Sequence, residues 1–224
     1  MRLYKTTKKV LSITPCPQAF LNGLTTNSLD KPQSAFVNIS GRIIATFDQI
    51  KISDEKFLLV IEAAFVPSVL LHLERFARLS KAVISEENLL VYFDLQGLYH
   101  PTPAEFVIAQ KCGQLVLTDN NLSSEVSDEE FTRFRLKNNI PLLGVDYKDE
   151  MILNVSETDF VSFSKGCFLG QEPLSKVHHR SKPTWKLAVK VQEDCSPEEK
   201  EKMTSKAVDP LNGKVYGFVF VANK

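Results

Sequence analysis

The chain has 224 residues, of which 43% are apolar and 24% charged, the usage of an ordinary globular protein. Lysine plus arginine and aspartate plus glutamate both number 27, so global charge gives no reason to expect nonspecific binding to nucleic acid or to an acidic membrane. The length predicts two compact units, or two and a fragment.

The opening residues, Met1-Arg2-Leu3-Tyr4-Lys5 and then Thr6-Thr7-Lys8-Lys9, lack the apolar stretch of a secretory signal. Apolar runs such as Phe57-Leu58-Leu59-Val60-Ile61 fall far short of the roughly 20 residues a membrane helix needs. Cys16, Cys112, Cys167 and Cys195 are scattered and form no C-x-x-C pair, which argues against a structural zinc site and against a disulfide framework. A reducing cytoplasm, with no membrane partner, is the expectation.

Taken in chain order, Thr14-Pro15-Cys16-Pro17 opens a short predicted helix carrying Phe20, Leu21 and Leu24, closed by Thr25-Thr26-Asn27. Residues 34–39 and 43–47 read as a hairpin across a Ser40-Gly41 turn. Residues 57–61 read as a buried strand. Pro67 suits the first turn of a helix whose apolar face is Val66, Val69, Leu70, Leu73, Phe76 and Ala77. Strands are expected at 82–84, 89–93, 106–109 and 115–117. Ser127-Asp128-Glu129-Glu130 resembles a capping box ahead of a helix bearing Phe131, Phe134, Arg135 and Leu136. Helices and strands mix without strict alternation, which predicts an α+β fold. Near the end, 185–191 and 215–221 read as strands separated by a charged stretch, 193–206. Two strands on a polar linker bury no sizeable core alone, so this tail is expected to pack on the main body. The predicted division is 1–184, in two lobes with a boundary near 50–125, and the tail 185–224.

The densest chemistry lies in Lys165-Gly166-Cys167-Phe168-Leu169-Gly170-Gln171-Glu172, followed by His178-His179-Arg180. The glycines permit positive φ and close backbone approach. Lys165, two residues before the thiol, favours thiolate, as does a helix starting just after it. A free cysteine is also commonly a small buried hydrophobe, and no histidine is obviously placed as its base. Gln171 and Glu172 can together recognise an amide-like heterocycle edge, or can be a solvated first helical turn. Lys165, His178, His179, Arg180 and Lys182 suit an anionic ligand tail or a nucleic-acid backbone, or a solvated loop. Read as strand neighbours, the adjacent histidines would point to opposite faces, which disfavours a metal site. Gly41-Arg42 reads as a turn glycine with an exposed arginine, and Asn22, Thr25, Thr26 and Asn27 as helix-end residues.

Together these segments resemble the YgfZ-type folate-binding family, relatives of the glycine-cleavage T-protein (aminomethyltransferase). The hallmark K-G-C-[FY]-x-G-Q-E is complete from Lys165 to Glu172. H-H-R-x-K matches His178 to Lys182, with Ser181 where glycine is usual; F-L-x-G-x-x-T-N matches Phe20 to Asn27; A-F-x-N-x-x-G-R-I matches Ala35 to Ile43; and R-[LI]-x-x-x-I-P-x-x-G-x-D matches Arg135 to Asp146. The resemblance implies an aminomethyltransferase-like α+β fold of lobes around a central cavity, with a β-barrel third lobe that is truncated here. It implies tetrahydrofolate as ligand and a role in maintaining iron–sulfur proteins or working with their assembly machinery. It gives Cys167 the functional role and places Lys165, Gly166, Phe168, Gly170, Gln171, Glu172, Arg180, Asn22, Thr25, Asn27 and Arg42 around the ligand, with no metal ligand set; contact of a tRNA with the basic cluster stays open.

Two departures bear on chemistry. Where the T-protein carries its catalytic aspartate, this chain has Ala45 and Thr46, with Asp48 further along the strand. A one-residue displacement swaps strand faces, so Asp48 is not expected to substitute. Where the T-protein has a glutamate for the pterin, this chain has Lys137. Three readings follow: a folate-binding accessory protein for iron–sulfur enzymes acting through Cys167, a scaffold that has lost its folate, and a tetrahydrofolate-dependent aminomethyltransferase.

Overall fold

The structure is a computed structural model that describes residues 1–15 and 18–223. Cys16 and Pro17, part of the predicted helix start, lie outside the described residues. The strands are β1 (Leu3–Lys5), β2 (Lys8–Thr14), β3 (Gln33–Val37), β4 (Ile43–Lys51), β5 (Phe57–Glu62), β6 (Val83–Glu87), β7 (Leu90–Asp94), β8 (Phe106–Ala109), β9 (Gln114–Thr118), β10 (Trp185–Val191), β11 (Thr204–Val208) and β12 (Val215–Ala222). The helices are α1 (Gln18–Asn22), α2 (Val66–Ser80), α3 (Asp128–Asn138), α4 (Ile152–Val155), α5 (Glu157–Phe160), α6 (Gln171–Arg180) and α7 (Pro197–Lys202). No helix among the described residues is long and apolar enough to cross a membrane.

Three antiparallel sheets organise these elements, in the orders β3-β4-β5-β2-β6, β1-β7-β9-β8 and β10-β12-β11. The continuous apolar run of β5 has a simple cause: both of its faces are covered. Phe57, Leu59 and Ile61 enter one core with Leu11 and Ile13 of β2 and with Val69 and Leu73 of α2. Leu58 and Val60 turn to the other face, where Val91 and Phe93 of β7 and Leu115 and Leu117 of β9 meet them. Two sheets thus stack with the five-stranded one in the middle, and in β5 the alternation of side chains sends Phe57, Leu59 and Ile61 to one core and Leu58 and Val60 to the other.

The hairpin forms as expected, but β3 ends at Val37 rather than 39. The Asn38 side chain accepts hydrogen bonds from the backbone N–H of Ser40 and Arg42, an Asx-type turn that competes with the strand ladder. On α3, Ser127 caps the helix by accepting from Glu130 N. On α2, Leu70, expected on the apolar face, is exposed.

The tail departs most from expectation. The stretch read as a polar linker contains α7 and a third strand, β11, so residues 185–223 form a three-stranded sheet. Leu187, Ala207 and Phe218 of that sheet join the main core. It is anchored by a buried pair, Arg135 Nη1 to Asp146 Oδ2 at 2.7 Å, with both side chains 3% exposed or less. Thr204 and Ser205 both donate to Asp146 Oδ1, and Arg135 Nη2 donates to Ser205 Oγ. Successive strand residues normally face opposite ways. Here a register shift in β11 and a left-handed Ser205 (φ 50°) aim both hydroxyls at one carboxylate.

Candidate functional site

Three of the sequence motifs meet at one junction. The chain crosses from α1 through Thr25, Thr26 and Asn27, and the loop 161–170 lies against it. Lys165 donates to Thr25 O (2.6 Å), Thr25 Oγ1 (3.1 Å) and Asn27 O (3.0 Å), which uses all three of its N–H bonds. Its ammonium also lies 5.4 Å from the centre of the Phe168 ring. Burial holds the Lys165 pKa down at about 8. Thr26 Oγ1 donates to Phe160 O and Asn27 Nδ2 to Asp159 O, tying the same segment to α5. Leu169 N donates to Gly23 O.

The third segment is the hairpin turn. Gly170, with φ +81°, precedes α6; a Cβ there would strike Asn38 O and the Val37 side chain. Gly41, with φ +74°, faces Leu174 of α6 in the same way. The two glycines therefore let α6 and the hairpin turn approach until backbone touches side chain. Arg42 extends the junction outward, its Nη1 donating to Asp149 O at 2.5 Å. Gln171 Oε1 accepts from Phe168 N, so this amide folds back on the loop. Phe168 is buried in the core, whereas Gly166 and Cys167 are exposed. The result is a braced loop that offers a thiol to solvent.

Glu172 and Asn22 are chain neighbours of this junction, and Arg180 lies further along α6. Glu172 is exposed in the first turn of α6, where the helix dipole favours a carboxylate. Asn22 is half-buried at the end of α1. Arg180 ends α6, roughly 14 Å along the axis from Gln171 at 1.5 Å per residue. The basic cluster is divided: Lys165 is turned inward, while His178, His179 and Arg180 occupy the last turn of α6. The histidines are helical neighbours, not strand neighbours as the sequence reading had them. His178 Nδ1 lies 2.9 Å from Glu157 Oε1, and its ring stacks on Phe163 at 4.2 Å. Among the described residues no group of three or more His, Cys, Asp or Glu side chains could hold a metal ion.

A cavity of about 90 Å³ lies elsewhere, between the five-stranded and four-stranded sheets. Strand register builds it. Lys8 pairs across β2–β5 with Glu62, and Gln33 across β3–β4 with Asp48, all on the face shared with Val10 and Val60. Lys8 Nζ is 3.1 Å from Asp48 Oδ2 and 3.3 Å from Glu62 Oε1. Burial pulls the Lys8 pKa down, and the two carboxylates more than offset this, so it stands raised. Thr46 and Tyr147 share a 2.6 Å hydrogen bond, and burial pushes the Tyr147 phenol up. Ile140, Pro141, Leu142 and Leu143 complete one wall; they belong to the loop clamped by Arg135 and Asp146. None of the residues singled out from the thiol and helix-end motifs lines this cavity.

This architecture has a counterpart among solved structures. The crystal structure of glycine cleavage system aminomethyltransferase T from Bartonella henselae superposes with a TM-score of 0.76, covering 98% of this chain and 78% of that one at 14% identity. The fold is that of an aminomethyltransferase. In sequence, an uncharacterized protein of Haemophilus influenzae is 25% identical over 167 residues, covering 66% of this chain and 55% of that protein. The chain thus spans about half the length of the curated relative it matches. No family model matches.

Within this aminomethyltransferase fold, the position of Asp48 corrects the sequence reading. Asp48 lies two residues beyond Thr46, hence on the same strand face, and both line the cavity, while Ala45 turns to the other core. Lys137 is exposed on α3. The sequence reading missed Lys8, Gln33, Glu62, Gln110 and Tyr147 as cavity residues. The available signal was a charged residue, Asp48, inside a strand otherwise reading as buried, because a buried carboxylate requires partners. Those partners, Lys8, Gln33 and Gln110, come from β2, β3 and the loop after β8 and carry no local pattern.

Proposed function

We propose that this chain is a non-transferase accessory protein that supports iron–sulfur proteins through Cys167, with tetrahydrofolate as its small-molecule ligand. The observation that carries the reading is the exposed Cys167 thiol on a loop braced by Lys165, Phe168 and Gly170. Bracing of that kind serves a group that must meet a partner in a set geometry. The partner is an iron–sulfur protein or a component of its assembly machinery. The three-stranded sheet of residues 185–223 is read as the remnant of a barrel lobe, and the two stacked sheets as the lobes around the ligand cavity.

Tetrahydrofolate does not fit that cavity as it stands. Sites for ligands of this size have volumes of roughly 300–1,000 Å³, against about 90 Å³ here. Both Asp48 oxygens are already engaged, Oδ2 by Lys8 and Oδ1 by Gln33 and Gln110. No step is therefore routed through a folate. The same observation favours a second reading, a scaffold that kept the fold and lost the ligand. Aminomethyl transfer ranks third, since the one carboxylate on the relevant strand face is saturated by internal partners.

Two measurements separate these readings. Calorimetric titration with folinate should show saturable binding to the purified protein; none would leave the scaffold reading. In cells lacking the protein, Cys167→Ala should fail to restore iron–sulfur enzyme activity while still binding folinate. Full restoration by Cys167→Ala would make the thiol irrelevant to function.

A further inference from the structure

β6 is an outer strand of the five-stranded sheet: it pairs with β2 on one side, and among the described residues no strand covers the other. An edge of this kind presents unpaired N–H and C=O groups to another chain. Beside it runs an open groove of about 640 Å³, with Leu70, Leu71 and Ala77 of α2 on one wall and Ala82, Val83 and Ile84 on the other. Leu71 is 75% exposed, Val83 56% and Leu70 40%. Single exposed apolar side chains need no explanation; a cluster of them along an open strand edge marks an interaction surface.

We propose that a second copy of this chain occupies the groove, its β6 pairing antiparallel with this one about a twofold axis through Ile84. The two five-stranded sheets then continue into one another.

The charge pattern selects that occupant and that register. The edge segment Lys81-Ala82-Val83-Ile84-Ser85-Glu86-Glu87 carries a cation at one end and two carboxylates at the other. An axis through Ile84 sets Lys81 opposite Glu87 of the partner subunit, and the symmetry repeats the pair. Opposite charges facing across strands stabilise, and like charges destabilise. Moving the axis to Ser85 would set Ile84 against a glutamate, and moving it to Val83 would leave Lys81 facing a serine. Parallel pairing in register would stack like on like. The carboxylates do not repel a copy outright, because each already holds a lysine of its own chain: Glu86 pairs with Lys9 at 2.7 Å and Glu87 with Lys56 at 2.8 Å.

The apolar side chains fit the same axis. Ile84 lies opposite Ile13 of β2 and packs on the main core, so it faces the side of the sheet that α2 covers. Pairing at Ile84 therefore joins the two grooves on that side and takes Leu70 and Leu71 of both copies out of water. The groove wall also carries both signs, Glu74 and Arg78 one helical turn apart, an order that the axis reverses in the copy. An interface that uses the same patch on both subunits requires self-complementarity of this kind.

Sedimentation velocity and light scattering of the purified chain over a range of concentrations should give a dimer, twice the 25.2 kDa of one chain. A monomer at every concentration would overturn the proposal and leave the groove to a different protein. Leu71→Glu, at a position exposed enough to spare the fold, should weaken the dimer by about tenfold, a change that one buried, unpaired charge readily supplies. A dimer that this variant leaves unchanged would place the interface elsewhere and overturn it. Lys81→Glu should also weaken the dimer, and Lys81→Glu/Glu87→Lys should recover it, because the reversal restores unlike charges across the axis. Circular dichroism checks that each variant is folded. Failure of the folded double variant to recover would overturn the axis at Ile84.

Discussion

Lys165 and Thr25, 140 residues apart, are joined by two hydrogen bonds from one ammonium, to the Thr25 carbonyl at 2.6 Å and its hydroxyl at 3.1 Å. With Asn27 O as the third acceptor, the lysine is a bracket between the end of α1 and the thiol loop. Its charge is consumed in holding the loop, not offered to an anion.

Lys165→Met keeps most of the side-chain volume and removes all three of these hydrogen bonds, although Asn27 O keeps the Thr25 hydroxyl as a donor. A loss of about 1–3 kcal/mol in urea unfolding at pH 7 is expected, since each buried acceptor left unmade carries a desolvation cost. The pH dependence carries a second signature. The folded value of about 8 lies below the ordinary 10.5, so the unfolded chain holds the proton more tightly between them. The burden of burying the cation is full below about pH 8 and fades as pH rises toward 10.5, and stability from this group rises across that window. Lys165→Met should lack that rise; a difference curve flat from pH 8 to 10.5 would show that the ammonium is not desolvated.

Gly170 and Gly166 flank the same thiol and should respond oppositely to alanine. At Gly170 the backbone is left-handed and the new Cβ meets Asn38 O, so Gly170→Ala should cost more than about 2 kcal/mol and separate α6 from the hairpin. At Gly166 nothing among the described residues lies within 4 Å of the added carbon and φ is not positive, so Gly166→Ala should stay within about 0.5 kcal/mol. Equal effects by thermal or chemical unfolding would contradict the packing described.

Arg135→Met should destabilise by about 3–5 kcal/mol, the range for removing one partner of a buried ion pair. Because Ser205 binds both partners, the loss should be accompanied by faster amide hydrogen exchange in β11. Exchange that speeds up uniformly across the chain, with no excess in β11, would refute the anchoring role.

Glu105 predicts the acid limb. The Thr118 hydroxyl, the Thr102 backbone N–H and the Tyr99 phenol all donate to it and hold its carboxyl down at about 2. A carboxylate lowered on folding stabilises above its ordinary value of 4.5, and that contribution drains away as pH falls toward 2. Glu105→Gln should therefore be less stable at pH 7 and should flatten the stability curve between pH 4.5 and 2, measured by urea midpoints. A curve of unchanged slope would rule Glu105 out as its source.

Short-range patterns were legible without coordinates. The Ser40-Gly41 turn, the Pro67 helix start, the Ser127 cap and the run Phe57-Leu58-Leu59-Val60-Ile61 each depend on neighbours a few residues away, and each element forms where it was expected. The motif segments around Cys167, Thr25 and Gly41 were also readable, because their glycines and polar residues are unusual at those spacings. Strand β11 was not: Thr204-Ser205-Lys206 has little strand character, and it pairs because β12 and the Arg135–Asp146 pair supply its partners. The face of Asp48 was not legible for a related reason. Counting along β4 tells which residues share a face, but only packing against the second sheet decides which face is the cavity, and only register brings Lys8, Gln33 and Glu62 to it. Local backbone preference is encoded within a few residues; the pairing of buried charges arises from contacts between residues tens to more than a hundred positions apart, and so belongs to the tertiary structure.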